Sequence, residues 1–534
     1  MAVADPLRLS LVPGAAAAPA AVARALAQSL LPVEHAGPAP DWLMPGQLRS
    51  FRRAIAALER HRGALLADPV GSGKTYVALA IAATLQRGRT TACLVPAALT
   101  AQWRDVAARL GVPLEVGSHQ QASRNKLPGS THGLVIVDES HHYRNPHTRR
   151  YEHAARWLLG RPVLLLSATP VVNTMEDLAH QLLLGVRDDA LRTDGVVSLL
   201  ATLASGVSVA ALGGLVIEDS ATAGPRPLRT STVSLADPQE NTLAIRMLEC
   251  LGTLRLSTHP PTAAVVRSVL QRALTSSPAA LVGALRRYRG LLLHARDARE
   301  AGRELTRAEL RAFSGQLDDQ LVLWELLDDG TGRIELALED LDAVAGVLAD
   351  AALAAQAVDP KMERLRRILS DETPTLVFVT RRETVRHLRE RLGGPPIAWC
   401  TGERAGLGHA PCSRAMVLGW FRETSAAPAP RCLVVTDVAA EGLDLRRAAR
   451  VVHYDLPWTA TRLEQREGRA VRLGSGHDQV EVVRFLPPPA LDAALRLGEH
   501  LARKAALPGR TGLGAEGLRL WRWRAALADR LGRG

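Results

Sequence analysis

Gly71-Ser72-Gly73-Lys74-Thr75 packs two glycines, a primary amine and two hydroxyls into five residues. Glycines let backbone N–H groups turn inward around an anion, and a following helix adds its dipole. Lys74 then suits β- and γ-phosphates, and the Thr75 hydroxyl suits Mg²⁺. Asp68 stands where the usual phosphate loop begins with glycine. Further on, "VIVDESHHYRNP" ends an apolar run in Asp138-Glu139, followed by His141 and His142. One chemistry for this stretch is a transition-metal site. Adjacent histidines diverge, however, and no histidine pair has the i, i+4 spacing that converges on one ion. The other chemistry is nucleotide hydrolysis, with Asp138 attending Mg²⁺ and Glu139 polarising the attacking water. The second fits better. His142 is left as a polar loop residue. A guanine-reading site is not expected, because Asn125-Lys126 lacks the accompanying aspartate.

Elements must hold these groups in place. "GALLAD", "ACLVP", "GLVIVDE" and "PVLLLSAT" are short apolar runs ending in small or acidic residues, within residues 40–189. Such runs read as buried parallel strands, with ligands collecting at their carboxyl ends. The pattern returns within 358–486 as "PTLVFVT", "PIAWC", "RCLVVTD", "RVVHYDLP" and "VEVVRFLP". The fold class is therefore α/β, with two parallel-sheet lobes in tandem. Residues 190–357 read as a mostly helical insertion and linker, 1–39 as a flexible arm, and 487–534 as a helical tail. In that tail, Trp521 and Trp523 suit docking on the second lobe better than stacking on bases.

The chain has 534 residues, 47% of them hydrophobic and 22% charged, the balance of a globular protein of several domains. No uninterrupted apolar run reaches about 18 residues, so no membrane partner is expected. The alanine-rich start carries Asp5, Pro13, Gly14 and Arg24, which argue against an export signal. Five cysteines without C-x-x-C spacing suit a reducing cytoplasm. Basic residues exceed acidic ones by 12, a field that draws polyanions, although only four lysines occur.

Taken in order, "ADPVGSGKT", "LVPAALTAQW", "DESHHYRN", "LLLSATPVVN", "VVTDVAAEGLDL" and "YDLPWTATRLEQREGRAVRLG" resemble the superfamily-two helicase-type ATPases. The Asp68 start, Trp103 and the Asp-Glu-Ser-His order point to the Swi/Snf-type branch with its bacterial RapA-like members. A DEAD-box reading fits worse, since His141 replaces the final aspartate. The resemblance implies two RecA-like lobes, ATP and Mg²⁺ as cofactors, and a nucleic-acid partner, duplex DNA before RNA. It also implies roles. Gln47 contacts adenine, while Asp68, Gly71, Ser72, Gly73, Lys74 and Thr75 cradle the phosphates. Asp138 and Glu139 serve metal and water. His141, Ser167, Thr169 and Gln465 couple nucleotide state to lobe movement. Arg469 and Arg472 act as arginine fingers, and Asp444, with Glu441 and Gly442, lies on a ribose- and backbone-contacting loop. Thr380, Arg381, Arg382 and Thr436 would grip a phosphate backbone. The functions open at this point are a duplex-DNA translocase, a strand-separating DNA or RNA helicase, and a binding scaffold with weak ATPase. The insertion and the tail offer surfaces for a protein partner.

Overall fold

The computed structural model describes residues 34–85, 90–129, 133–171, 174–206, 210–218, 228–233, 238–314, 335–422, 430–440, 445–457, 460–471, 477 and 479–495. They form two compact units, divided between Pro225 and Arg226.

In the first unit, six parallel strands run in the order β3-β2-β4-β5-β1-β6. They are β1 (Gly63–Leu66), β2 (Thr91–Val95), β3 (Leu114–Ser118), β4 (Val135–Val137), β5 (Val163–Leu166) and β6 (Val216–Ile217). Strands β1, β2, β4 and β5 are buried along their whole length, because helices cover both faces. Their uniform Leu/Val/Ala composition follows from that double burial. The helix Lys74–Leu85 is likewise apolar almost all round, with Val77 to Ala82 buried. Strands β4, β5 and β1 are neighbours. Their carboxyl ends therefore bring Asp138, Ser167 and the glycine-rich loop to one edge of the sheet.

The second unit has an eight-stranded sheet in the order β11-β10-β9-β12-β8-β13-β14-β7. Its strands are β7 (Leu228–Val233), β8 (Thr375–Val379), β9 (Ala398–Cys400), β10 (Ala405–Leu407), β11 (Ala410–Pro411), β12 (Cys432–Thr436), β13 (Arg450–His453) and β14 (Val480–Phe485). All pairings from β9 to β7 are parallel, and β10 and β11 add an antiparallel edge. Here too, three adjacent strands, β12, β8 and β13, deliver Thr436, Thr380 and Asp455 to one edge.

The region read as an insertion divides differently. Residues 190–217 belong to the first unit, where β6 pairs with β1. Strand β7 joins the second sheet beside β14, so the second unit begins at Arg226 and not at 358. The intervening helices Pro238–Gly252, Pro260–Ser276, Pro278–Glu300, Arg307–Ser314 and Asp340–Gln356 share one apolar core, which also takes Leu491. Prolines open three of these helices, at Pro238, Pro260 and Pro278, where their missing N–H costs nothing. Segment Asp340–Ile368 is apolar enough by composition to cross a membrane. It is interrupted at Asp359, whose side chain caps the next helix by accepting from Lys361 N and Met362 N. Val344, Val347 and Ala351 of its first half lie in the bundle core.

The bundle is docked on the second sheet by polar contacts. Lys361 Nζ donates to Thr275 O at 2.7 Å and Ser276 O at 3.1 Å, and sits 4.1 Å from the centre of the Tyr454 ring. Arg287 pairs with Glu383. A Cβ at Gly283 would come within 2.7 Å of the Glu383 side chain, so a larger residue there would have to displace that side chain from its contact.

Candidate active site

The glycine-rich loop leaves β1 through Asp68, which is fully buried and accepts from Ser50 Oγ at 3.0 Å. Aspartate at this position is thus a built part of the loop. Gly71 and Gly73 adopt φ of 84° and 82°, the left-handed region that side chains resist. A Cβ at Gly73 would also lie 2.4 Å from Gln47 Nε2. Gln47 is buried and spends its amide on the loop, donating to Ser72 O at 2.8 Å and Gly73 O at 3.4 Å. Its Oε1 accepts from Met44 N at 3.1 Å. The structure therefore makes Gln47 a brace of the phosphate loop. Lys74 Nζ reaches back over the loop to Asp68 O at 2.6 Å and Pro69 O at 3.0 Å, and the half-buried Thr75 follows it.

At the end of β4, Asp138 N still pairs with Leu94 O, and Glu139 then turns into the left-handed region at φ 48°. Backbone strain of this kind collects at functional sites. Asp138 Oδ1 accepts from Glu139 N at 3.0 Å, and Oδ2 accepts from Trp103 Nε1 at 2.9 Å. Burial, then the Glu139 charge, push the Asp138 carboxyl up to about 7; Trp103 and Lys74 oppose that rise. His119 Nε2 lies 2.9 Å from Asp138 O, and its Nδ1 lies 3.0 Å from Tyr143 Oη. A carbonyl only accepts, so His119 carries its proton on Nε2 and receives the tyrosine hydroxyl proton on Nδ1. Burial, then neighbouring positive groups, hold its pKa well below the usual histidine range, so it stays neutral.

His141 bridges two motifs: its Nδ1 is 3.3 Å from Ser167 Oγ and 3.3 Å from Glu139 Oε2. Ser167 Oγ also accepts from Thr169 N at 3.2 Å, closing the Ser-Ala-Thr turn. Both Ser167 and Thr169 are buried. His142 stacks on His141 with ring centres 4.7 Å apart. The pattern of residue types does not point to Ser140 and Gln181. Both are fully buried, and Ser140 Oγ donates to Gln181 Oε1 at 2.9 Å. Gln181 Nε2 in turn donates to Pro170 O at 2.5 Å, tying the acidic motif to the turn after β5.

In the second unit the motif "EQREGR" holds a cation that its residue types do not single out, Arg466. It is buried on the helix Ala460–Glu467 and grips Asp437 with two nitrogens, at 2.6 Å and 2.8 Å. Its Nη1 donates to Asp455 O at 2.8 Å. Burial alone would raise the Asp437 pKa, but the charge and hydrogen bonds of Arg466, with the Arg462 and His453 charges, together outweigh it and hold the carboxyl below its usual range. Gln465 is half-buried on the same helix, and Arg469 lies buried just beyond its end.

The expected backbone grip looks different in the structure. Thr380 donates to Asp455 through its N at 2.8 Å and its hydroxyl at 3.1 Å. Arg381 and Thr436 are buried, leaving Arg382 as the exposed cation of that loop. Asp455, which holds Thr380, is itself met by Ser276 Oγ from the helical bundle at 2.5 Å.

Residues 360–474 match the model of the helicase conserved C-terminal domain. Over 463 residues the chain is 24% identical to the uncharacterized ATP-dependent helicase YqhH of Bacillus subtilis, covering 82% of this chain and 74% of that protein. It is 29% identical to the RNA polymerase-associated protein RapA of Cronobacter sakazakii over 147 residues, 26% of this chain and 14% of RapA. Similarity to the ATP-dependent RNA helicase SrmB of Haemophilus influenzae is 30% over 153 residues, 28% of this chain and 33% of SrmB. The chain thus carries the helicase C-terminal domain, and along most of its length it is similar to helicase-type ATPases of superfamily two.

As an ATPase of this type it uses ATP, and its first unit carries the phosphate loop and the acidic strand end side by side. Ser72 Oγ, buried in the loop, has no hydrogen-bond partner among the described residues, which fits a ligand oxygen completing the site. Arg472, Asp444, Glu441, Gly442, Trp521 and Trp523 lie outside the described residues.

Proposed function

We propose that this ATPase is a motor of the Swi/Snf-type branch that moves along duplex DNA, using the hydrolysis of Mg²⁺-bound ATP. The observation that carries this reading is the buried Asp68, held by Ser50 at the head of an otherwise intact phosphate loop. A decaying loop would not keep a buried carboxylate and its donor, which argues against a scaffold with weak ATPase. Hard oxygen donors suit Mg²⁺, and the Thr75 hydroxyl with the Asp138 carboxylate supplies them. Two acidic groups side by side, one with a raised pKa, are a site that gains from a divalent cation. Bound there, Mg²⁺ would neutralise phosphate charge.

In this reading Lys74 binds the β- and γ-phosphates and Glu139 orients the attacking water and takes its proton. His141 senses the γ-phosphate between Glu139 and the Ser167 turn. Arg469 and Arg472 supply positive charge to the transition state, which requires the second lobe to close on the first. Exposed Arg382 and backbone amides near it would hold the DNA backbone without reading sequence. Five free cysteines agree with work in a reducing cytoplasm.

Steady-state ATP hydrolysis without polymer, and with single-stranded DNA, duplex DNA or RNA at two salt concentrations, tests the proposal. Duplex DNA should stimulate most, and the stimulation should fall as salt rises. Equal rates in all four cases would reject a motor on nucleic acid. Stimulation by RNA alone would favour the strand-separating helicase reading, toward which the similarity to an RNA helicase points.

A further inference from the structure

Trp103 closes the stretch "LVPAALTAQW" on the helix Thr100–Arg109, and nothing in the proposed function uses it. Only 1% of it is exposed, and it packs in the apolar core with Leu99, Val106 and Val95. A buried indole must still find an acceptor for its N–H. A backbone carbonyl would serve; here the acceptor is Asp138 Oδ2, at 2.9 Å. With Glu139 N on Oδ1 at 3.0 Å, each carboxylate oxygen has one fixed donor and keeps a second lone pair. Two donors on two oxygens set the plane of the carboxylate. His119, from the start of the short helix after β3, holds the carbonyl of the same residue at 2.9 Å. Asp138 is thus restrained at both its side chain and its backbone, from elements that follow β2 and β3.

We infer that Trp103 is a positioning residue: its indole N–H fixes the Asp138 carboxylate in the orientation that receives the nucleotide-bound divalent cation. Outer hydrogen bonds to a metal-binding carboxylate typically govern about 10- to 100-fold in metal affinity. Without the N–H the carboxylate turns about its last torsion, and the cation meets a mixture of orientations.

The inference rests on Asp138 attending the metal, which Asp138→Asn tests by itself: an unchanged Mg²⁺ requirement there would sink that reading whatever Trp103 does. For Trp103, a fluorescent ATP analogue is titrated with Mg²⁺ against the full chain, alongside kcat and KM. Two replacements are compared. Trp103→Phe keeps an aromatic ring, and Trp103→3-benzothienylalanine puts sulfur in place of N–H at nearly constant shape. Both should raise the Mg²⁺ concentration for half-saturation by about 10-fold or more. Analogue binding in excess chelator should stay within about twofold of wild type, as should kcat at saturating Mg²⁺, given that only metal affinity is altered. If the benzothienyl variant titrates like wild type, the effect of Trp103 is packing and the inference is wrong, even if the Phe variant is impaired or unfolded. A loss of metal-free nucleotide binding equal to the loss with Mg²⁺ would overturn it as well.

Discussion

Arg466 and Asp437 form a two-point pair, with Nε to Oδ1 at 2.6 Å and Nη2 to Oδ2 at 2.8 Å, on a guanidinium only 2% exposed. Removing one partner of a buried pair strands the other charge and costs about 3–5 kcal/mol. Arg466→Ala should therefore lower the thermal midpoint of the second unit by roughly 10 °C. Arg469→Ala, three residues away, should reduce stimulated turnover by about 10³-fold, far beyond what any loss of midpoint explains. Calorimetry and ATPase assays on both variants separate the two. Full turnover in Arg469→Ala or a fully stable Arg466→Ala would refute this division of labour.

Gln47 should report on the phosphate loop. Gln47→Ala loses donors to Ser72 O and Gly73 O, at about 1 kcal/mol for each hydrogen bond. ATP binding should weaken by about 5- to 30-fold. Gln47→Glu should be no better, because a carboxylate cannot donate to those carbonyls. Calorimetric titration with ATP checks both, and wild-type affinity in either variant would contradict the bracing geometry.

Asp138 gives a pH signature. Its carboxyl is raised to about 7 by burial and then by Glu139. A raised carboxyl means that the fold favours the protonated form. Its contribution to stability is full below the usual carboxylate range near pH 4 and is lost as pH rises through about 7. Asp138→Asn should thus raise the nucleotide-free midpoint at about pH 8 but not at about pH 4. Mg²⁺ binding displaces that proton, so titrations in buffers of different ionisation heat should detect proton release at about pH 6 and none at about pH 9. Equal proton release at both would mean that Asp138 is ionised throughout.

Asp340 is a stability probe for the helical bundle. It accepts from Arg255 N at 3.0 Å, Leu256 N at 2.8 Å and Tyr288 Oη at 2.7 Å, with Leu256 in the left-handed region at φ 69°. Asp340→Ala leaves Leu256 N buried without this acceptor and Tyr288 Oη with only Leu256 O, at 3.4 Å, at about 1–3 kcal/mol each. Urea unfolding should show a loss of at least about 3 kcal/mol, and Asp340→Asn, which keeps one acceptor, should lose less. No loss in Asp340→Asn beside a full loss in Asp340→Ala would show that the side chain acts only by filling space.

The sequence made the strands of both sheets readable because central parallel strands are buried on both faces, so GALL, TACLV, VLLL and CLVVT carry no polar residue that faces solvent. The phosphate loop and Asp138-Glu139 were readable for a related reason: their spacing from a strand end is set by short-range geometry. What escaped depends on distant partners. LRTSTV has no apolar run, and nothing local says that it pairs with β14. Ser276 is an unremarked serine until its Oγ is found between Asp455, at 2.5 Å, and Thr384, at 2.7 Å. Arg381 reads as an exposed cation beside Arg382, and only the packed lobe buries it.

Strand β7 has a consequence for how the chain is made. Leu228 lies beside Val480, so about 250 residues must leave the ribosome before this edge strand meets its neighbour. At about 5–20 residues per second the wait is roughly 10 to 50 s. Throughout synthesis of the bundle and of strands β8 to β13, β7 waits without the partner strand on which it will pair. Its serine and threonines keep β7 soluble meanwhile, which a strand of valines in that place would not do.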